Sequence, residues 1–164
     1  MKIVIAVDSF KGCLSSSSIA NAVEEGIQNT LSGCEVIKVP IADGGEGTVD
    51  ALVDATLGKI ITIPVHNPLM QPIQASYGMT GDGQTAIIEM SAASGLDLIP
   101  LKPGNVMDTT TYGTGEMIAD AIKRGCRNFI IGVGGSATND AGTGMMQALG
   151  VHFTDEKGNE VEKG

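Results

Sequence analysis

Apolar residues open the chain as a short unbroken block and then settle into helical stripes. Residues 3–7, Ile-Val-Ile-Ala-Val, are continuously apolar and bounded by polar positions, the pattern of a strand buried on both faces. A polar stretch over 8–18 follows. From Ser16 or Ser17 onward, Ile19, Ala22, Val23 and Ile27 recur at helical spacing, with serines available as N-caps. Gly33 ends that helix and residues 36–39 predict a second strand. Loop 42–48 then leads into a helix that turns Val49, Leu52 and Val53 inward and stops at Gly58. Strand, loop and helix repeated in this order predict a parallel sheet with crossover helices. In such sheets ligands gather at the carboxyl ends of the strands, where loops 8–18 and 42–48 both emerge.

The pattern changes near residue 59. Residues 60–65, 73–79 and 86–90 predict strands separated by the turn signals Asn67-Pro68 and Gly81-Asp82-Gly83, with no helix between them. These strands are therefore expected to be antiparallel or mixed. A polar loop over 91–95 and a proline-bearing connector over 100–103 follow. After Thr109 the α/β rhythm returns: a helix over 116–123 with Met117, Ile118, Ala121 and Ile122 apolar, a buried strand over 129–133, a glycine-rich loop over 134–144 and a short helix over 145–149. Residues 151–153 predict a last strand and 155–159 a turn, with the return strand barely begun at Val161. The expected fold class is α/β, with parallel three-layer sheet segments and an intervening mixed or antiparallel β region. Residues 1–58 form the first α/β segment. Residues 59–164 hold the mixed β region and a second α/β segment that is expected to continue beyond the last residue.

Composition narrows the chemistry. The chain is 164 residues long with a net charge of −9, a balance that argues against a nucleic-acid binder, which needs Lys and Arg to displace counterions from phosphates. Arg124 and Arg127 are the only arginines, so an anionic ligand must be held mainly by lysine, backbone N–H groups, helix starts or a metal ion. The three cysteines, Cys13, Cys34 and Cys126, are widely spaced, form no zinc pattern and fit a reducing, cytoplasmic setting. No apolar stretch approaches the length needed to span a bilayer, and the first ten residues read as a strand rather than a signal peptide.

Four loops carry candidate chemistry. Gly132 to Met145 follows a buried strand and opens a helix. Gly134 and Gly135 allow close backbone approach, Ser136, Thr138 and Asn139 offer hydrogen bonds, and Asp140 adds a carboxylate. Its bland counterpart is a glycine-rich turn with Asn and Asp caps. In Ala42-Asp-Gly-Gly-Glu-Gly-Thr48, Asp43 and Glu46 share one loop and suit either a hard cation such as Mg²⁺ or the orientation and deprotonation of a hydroxyl. Equally, Asp43 reads as a helix cap and Glu46 as a first-turn acid favoured by the helix dipole. Lys11, in Asp8-Ser-Phe-Lys-Gly12, is the best-placed cation for a phosphate or a carboxylate, or else an ordinary surface lysine. Ser91-Ala-Ala-Ser-Gly95 either hydrogen-bonds a small polyol or makes a tight turn. His66 and His152 have no nucleophile-and-acid partners in the sequence and read as structural. No lysine precedes a Ser or Thr, so there is no Walker A loop, and the Gly-x-Gly-x-x-Gly dinucleotide fingerprint is absent, which disfavours a dehydrogenase.

Taken together, Asp8-Ser-Phe-Lys-Gly12, Pro40-Ile-Ala-Asp-Gly-Gly-Glu-Gly-Thr48, Ser91-Ala-Ala-Ser-Gly-Leu96, Thr114-Gly-Glu-Met-Ile118 and Gly134 to Met145 resemble, in order, the motifs of the bacterial glycerate kinase family. The resemblance implies ATP-dependent, Mg²⁺-assisted phosphorylation of D-glycerate in a cleft between two α/β domains, by a polypeptide roughly twice this length or more. On the matching positions it implies catalytic roles for Lys11, Asp43 and Asp140. It implies substrate or phosphate contacts for Asp8, Ser9, Glu46, Ser91, Gly134, Gly135, Ser136, Thr138 and Asn139, and metal binding by Asp43 and Glu46. The partners implied are the small-molecule substrate and the missing C-terminal half of the same protein, with neither nucleic acid nor membrane. The residues alone also admit a non-catalytic binding module for a small hydroxy acid or a nucleotide.

Overall fold

The computed structural model describes residues 1–10, 13–100 and 106–161. Strands β1 (Lys2–Val7) and β2 (Glu35–Pro40) pair in parallel, joined by helix α1 (Ser16–Thr30). Ser15 caps α1, its side chain accepting from the Ser18 amide at 3.2 Å. Helix α2 (Thr48–Ala55) leads to a second sheet of β3 (Lys59–His66), β4 (Pro72–Met79), β5 (Thr85–Glu89) and β6 (Asn128–Gly132) in that spatial order. β3, β4 and β5 are antiparallel, as their short turns predict, and β6 lies parallel to β5 after the crossover helix α4 (Tyr112–Lys123). The short helices α3 (Ser91–Ser94) and α5 (Thr143–Ala148) follow β5 and β6.

Strand alternation sorts the core into two layers, one on each side of the second sheet. Ile61, Ile63, Val65, Tyr77, Ala86 and Ile88 pack against Met117, Ile118 and Ala121 of α4. On the opposite face Ile87 packs against Val49 and Val53 of α2. Here α2, which precedes the strand break near residue 59, belongs by packing to the sheet that follows it. The fully buried Tyr77 hydroxyl donates to Asp120 at 2.7 Å, and the Arg124 guanidinium donates to the same oxygen at 2.6 Å. Burial, reinforced by that carboxylate, pushes the Tyr77 phenol well above its ordinary value.

Several expectations need correction. α4 begins at Tyr112, four residues before the predicted start, and carries Gly113 and Gly115 inside its first turns. Glycine is poor in a free helix, but a methyl at Gly113 would overlap the His66 carbonyl oxygen, so close packing decides the residue there. Residues 91–94 form a helical turn rather than a polar loop, and residues 151–153 form no strand. The turn at 155–159 is nevertheless closed by a bridge between Thr154 and Glu160 and by the Val161 amide donating to the Phe153 carbonyl at 2.9 Å. Neither β1 nor β6 is covered on both faces by the described residues: Val4 of β1 and Ile130 and Ile131 of β6 are exposed. Val23 of α1 is exposed too, and the buried stripe there is Ser16, Ile19 and Ala20.

Gly113→Ala is expected to destabilise the fold by about 1–3 kcal/mol, because the added methyl must displace backbone. Gly26→Ala is expected to stabilise it by up to about 1 kcal/mol, because α1 has open space around Gly26 and gains helix propensity. Urea-unfolding midpoints of the two variants, moving in opposite directions, check this reading.

Candidate functional site

Three chain segments meet beyond the carboxyl ends of β5 and β6: the loop before α2, the start of α3, and the glycine-rich loop after β6. The parallel register sets Glu89 beside Gly132. A methyl at Gly132 would overlap the Gly44 carbonyl oxygen, and one at Gly134 would come within 3.0 Å of the Gly45 Cα. The Gly134 amide points at the same Gly44 carbonyl, at 3.5 Å. The second loop therefore lies directly on the 132–135 backbone, at a distance only glycine allows.

That contact closes a groove of about 1020 Å³ lined by Asp43, Glu46, Glu89, Ser91, Gly134 and Gly135, among others. A neighbouring cavity of about 450 Å³ shares the Ile131 and Val133 wall and is lined by Thr111, Ser136, Thr138, Asn139 and Asp140 together with Met90 and Met145. The groove carries four carboxylates, Asp43, Glu46, Glu89 and Asp97, whereas the cavity is lined mostly by apolar surface with the Thr111, Ser136 and Thr138 hydroxyls among it. Among the described residues, no lysine, arginine or histidine pairs with Asp43, Glu46 or Glu89. Nor do three His, Cys, Asp or Glu side chains gather closely enough among them to hold a metal ion unaided. Asp43 and Glu46 are the exposed loop carboxylates of the groove that could supply the one or two carboxylates Mg²⁺ takes when phosphate and water complete its shell.

Asp43 does not cap α2. The N-cap is Gly47, which has no side chain to offer, and Asp43 instead accepts from the Gly45 amide at 3.1 Å. Both Asp43 and Glu46 remain exposed. The cap comes from a residue that sequence reasoning missed. Glu89, at the end of β5, accepts from the Val49 amide at 2.8 Å across 40 positions. Burial raises its carboxyl above the usual glutamate value, helped by the nearby Asp50 charge and opposed by the α2 amides. The available signal was a lone carboxylate ending the apolar run Thr-Ala-Ile-Ile-Glu at a strand's carboxyl end.

Asp140 turns inward on its own loop. It accepts from the Thr111 amide at 2.8 Å and hydroxyl at 2.9 Å, the Gly144 amide at 3.1 Å, the Gly142 amide at 3.0 Å and the Thr110 hydroxyl at 3.4 Å. Burial would raise this carboxyl, but the Thr111, Gly142 and Gly144 donors outweigh it and hold it below the ordinary aspartate value. The Thr111 hydroxyl in turn accepts from the Met145 amide at 2.9 Å, so Asp140 and Thr111 together bind the starts of α4 and α5 to one another. Ser136 and Thr138 share a hydrogen bond at 2.9 Å.

Among its described residues, the first loop joins neither cavity's lining. Asp8 accepts from the adjacent Ser9 amide at 2.7 Å, and Lys11 lies outside the described residues. His66 and His152 pair with Glu116 and Glu160 at 2.9 and 2.6 Å, away from the groove.

The model of the glycerate kinase family matches residues 3–164. The glycerate kinase of Bacillus subtilis (strain 168) is 54% identical over 164 residues, which is 100% of this chain and 43% of that protein. The glycerate 2-kinase of Escherichia coli (strain K12) is 51% identical over 161 residues, 98% of this chain and 42% of its own length. A crystal structure named for glycerate kinase 2 of Salmonella typhimurium LT2 superposes with a TM-score of 0.89 at 48% identity, covering 100% of this chain and 44% of that one. The chain thus spans less than half the length of the relatives it matches.

Asp140→Ala is expected to destabilise the protein by about 1.5–3 kcal/mol at neutral pH, since it removes an ionised acceptor shared by several donors. A carboxyl held below its unfolded value of 3.8 contributes stability that is fully present above that pH and lost as pH falls through the folded value. The melting-temperature gap between parent and variant should therefore narrow in acid; a gap independent of pH contradicts the assignment.

Proposed function

The chain belongs to the glycerate kinase family, and from that premise we propose that it supplies one wall of the active site of an enzyme that transfers the ATP γ-phosphate to a hydroxyl of D-glycerate. The observation carrying this reading is the groove in which Asp43 and Glu46 face Ser91 and the Gly134–Gly135 backbone at the carboxyl ends of two parallel strands. Phosphoryl transfer depends mostly on positioning and on neutralising charge over the moving group. Backbone N–H groups of the glycine-rich loop and Lys11 are suited to the phosphates, Ser91 to a substrate hydroxyl, and Asp43 to orienting or deprotonating the attacking hydroxyl. Asp43 and Glu46 would be the residues to hold Mg²⁺, which would supply the remaining positive charge. The largely apolar lining of the neighbouring cavity, with Ser136, Thr138 and Asn139 among it, suits a larger, partly apolar portion of a bound substrate. Free cysteines and the absence, among the described residues, of any helix long and apolar enough to cross a membrane support a cytoplasmic setting.

ADP release with ATP, Mg²⁺ and D-glycerate tests the reading. The chain joined to the C-terminal portion its relatives possess should turn over, and the 164-residue chain by itself should not approach that rate. Equal rates would place a full catalytic unit within these residues. Binding of glycerate without ADP release by the longer chain would mark a binding module.

Asp43→Asn in the longer chain is expected to lower kcat by about 100-fold or more with little change in melting temperature, because the side chain is exposed and engages only its own loop. Retained activity with a lowered melting point would make Asp43 a loop fastener instead.

A further inference from the structure

The loop that carries Asp43 and Glu46 is glycine-rich, with Gly44 and Gly47 both at positive φ, and its own hydrogen bonds, the Gly45 amide to Asp43 and the Thr48 amide and hydroxyl to the Gly45 carbonyl, shape the turn without tying it to the sheet. Catalysis that depends on placement needs such a loop fixed by something else. Two anchors are visible, and both stand at the same rung of the second sheet. Gly132 receives the Gly44 backbone, while its β-partner Glu89 takes the Val49 amide at the first turn of α2. The stretch between those contacts holds Asp43's turn partner Gly45 and the whole of Glu46.

The chemistry of the Glu89 contact is specific. The first N–H groups of a helix have no partner within it and carry the positive end of its dipole. Gly47 offers no capping side chain; the Thr48 amide turns back to the Gly45 carbonyl at 3.2 Å, and the Val49 amide is left for Glu89. An oxygen acceptor must reach that amide from the end of β5, which requires the length of a glutamate side chain.

On these grounds we propose that Glu89 is a positioning residue for phosphoryl transfer, fixing the Asp43–Glu46 loop against the glycine-rich loop by capping α2. The inference rests on the kinase reading of the groove. The role requires an acceptor oxygen at the right reach; it does not require the charge itself. That separates it from a role in proton transfer or metal binding, which requires a carboxylate.

Three substitutions in the longer, active chain distinguish these possibilities. Glu89→Gln keeps the reach and an acceptor oxygen, so kcat should stay within about threefold of the parent. Glu89→Asp keeps the charge but withdraws the oxygen by one methylene, and Glu89→Ala removes it. Both should lower kcat on the order of tenfold or more, with smaller changes in KM for ATP and glycerate. Amide hydrogen exchange at Val49 should stay slow in the Gln variant and accelerate in the Asp and Ala variants. Activity kept by Asp and lost by Gln would overturn the proposal in favour of a role for the charge. Unchanged kcat in the folded Asp and Ala variants, or activity lost only in step with folding, would overturn it in favour of a purely structural cap. A parent chain that releases no ADP overturns the kinase reading and this inference with it, whereas an active parent with unaffected variants overturns this inference alone.

Discussion

The candidate site depends on one parallel pairing, that of β5 with β6. Its register sets Glu89 beside Gly132, and from that rung both anchors of the acidic loop follow. Gly132 has no side chain, so the Gly44 carbonyl can rest on it, and Glu89 has a long one, so its oxygen reaches the Val49 amide. Shifting the register by one residue would turn every side chain of β6 to the opposite face and separate the two anchors. Ile88 toward α4 and Ile87 toward α2 fix the facing of β5, and Phe129 of β6, packed against the α4-side core, would be turned away from it by such a shift.

Carboxylates around the site divide by environment. Asp140 is surrounded by donors and ties α4 to α5 through Thr111, with four of its five donors on one oxygen and the Gly142 amide on the other. Glu89 is half-buried with the α2 amides as its partners, and burial raises its carboxyl. Asp43 and Glu46 stay open to solvent at the groove mouth. Groups whose oxygens are already engaged hold the architecture, and those left accessible can meet a cation or a hydroxyl. In the proposed phosphoryl-transfer role, the engaged groups would give rigid placement and the open ones free oxygen ligands.

Much of this was legible in the residues. Continuous apolar blocks marked β1, β5 and β6, turn signals marked the antiparallel middle, and glycine-rich loops after strands marked where a ligand would lie. The order of the loop motifs pointed to the family that the comparisons identify. Misreadings arose where packing overrides local preference. α4 starts early because Gly113 meets the His66 carbonyl, a contact between positions 47 apart that no window of sequence reveals. Residues 151–153 have strand composition, yet their only pairing among the described residues is the bridge beyond them and one bond from Val161.

The sequence by itself determined the class of fold, the alternation that divides the sheet into two packed faces, and the residue types suited to anions, cations and hydroxyls. These are local properties: periodicity, turn chemistry and the kinds of atoms each loop can present. Tertiary structure alone decided which carboxylate is engaged within the fold and which stays open. Asp43 and Asp140 look alike in sequence, each beside glycines in a loop after a strand, but one is open and the other is enclosed by five donors. Glu89 carried no motif at all and became the cap of a helix 40 residues away. A side chain's role depends on which donors reach it in space, and strand register and helix packing set those distances.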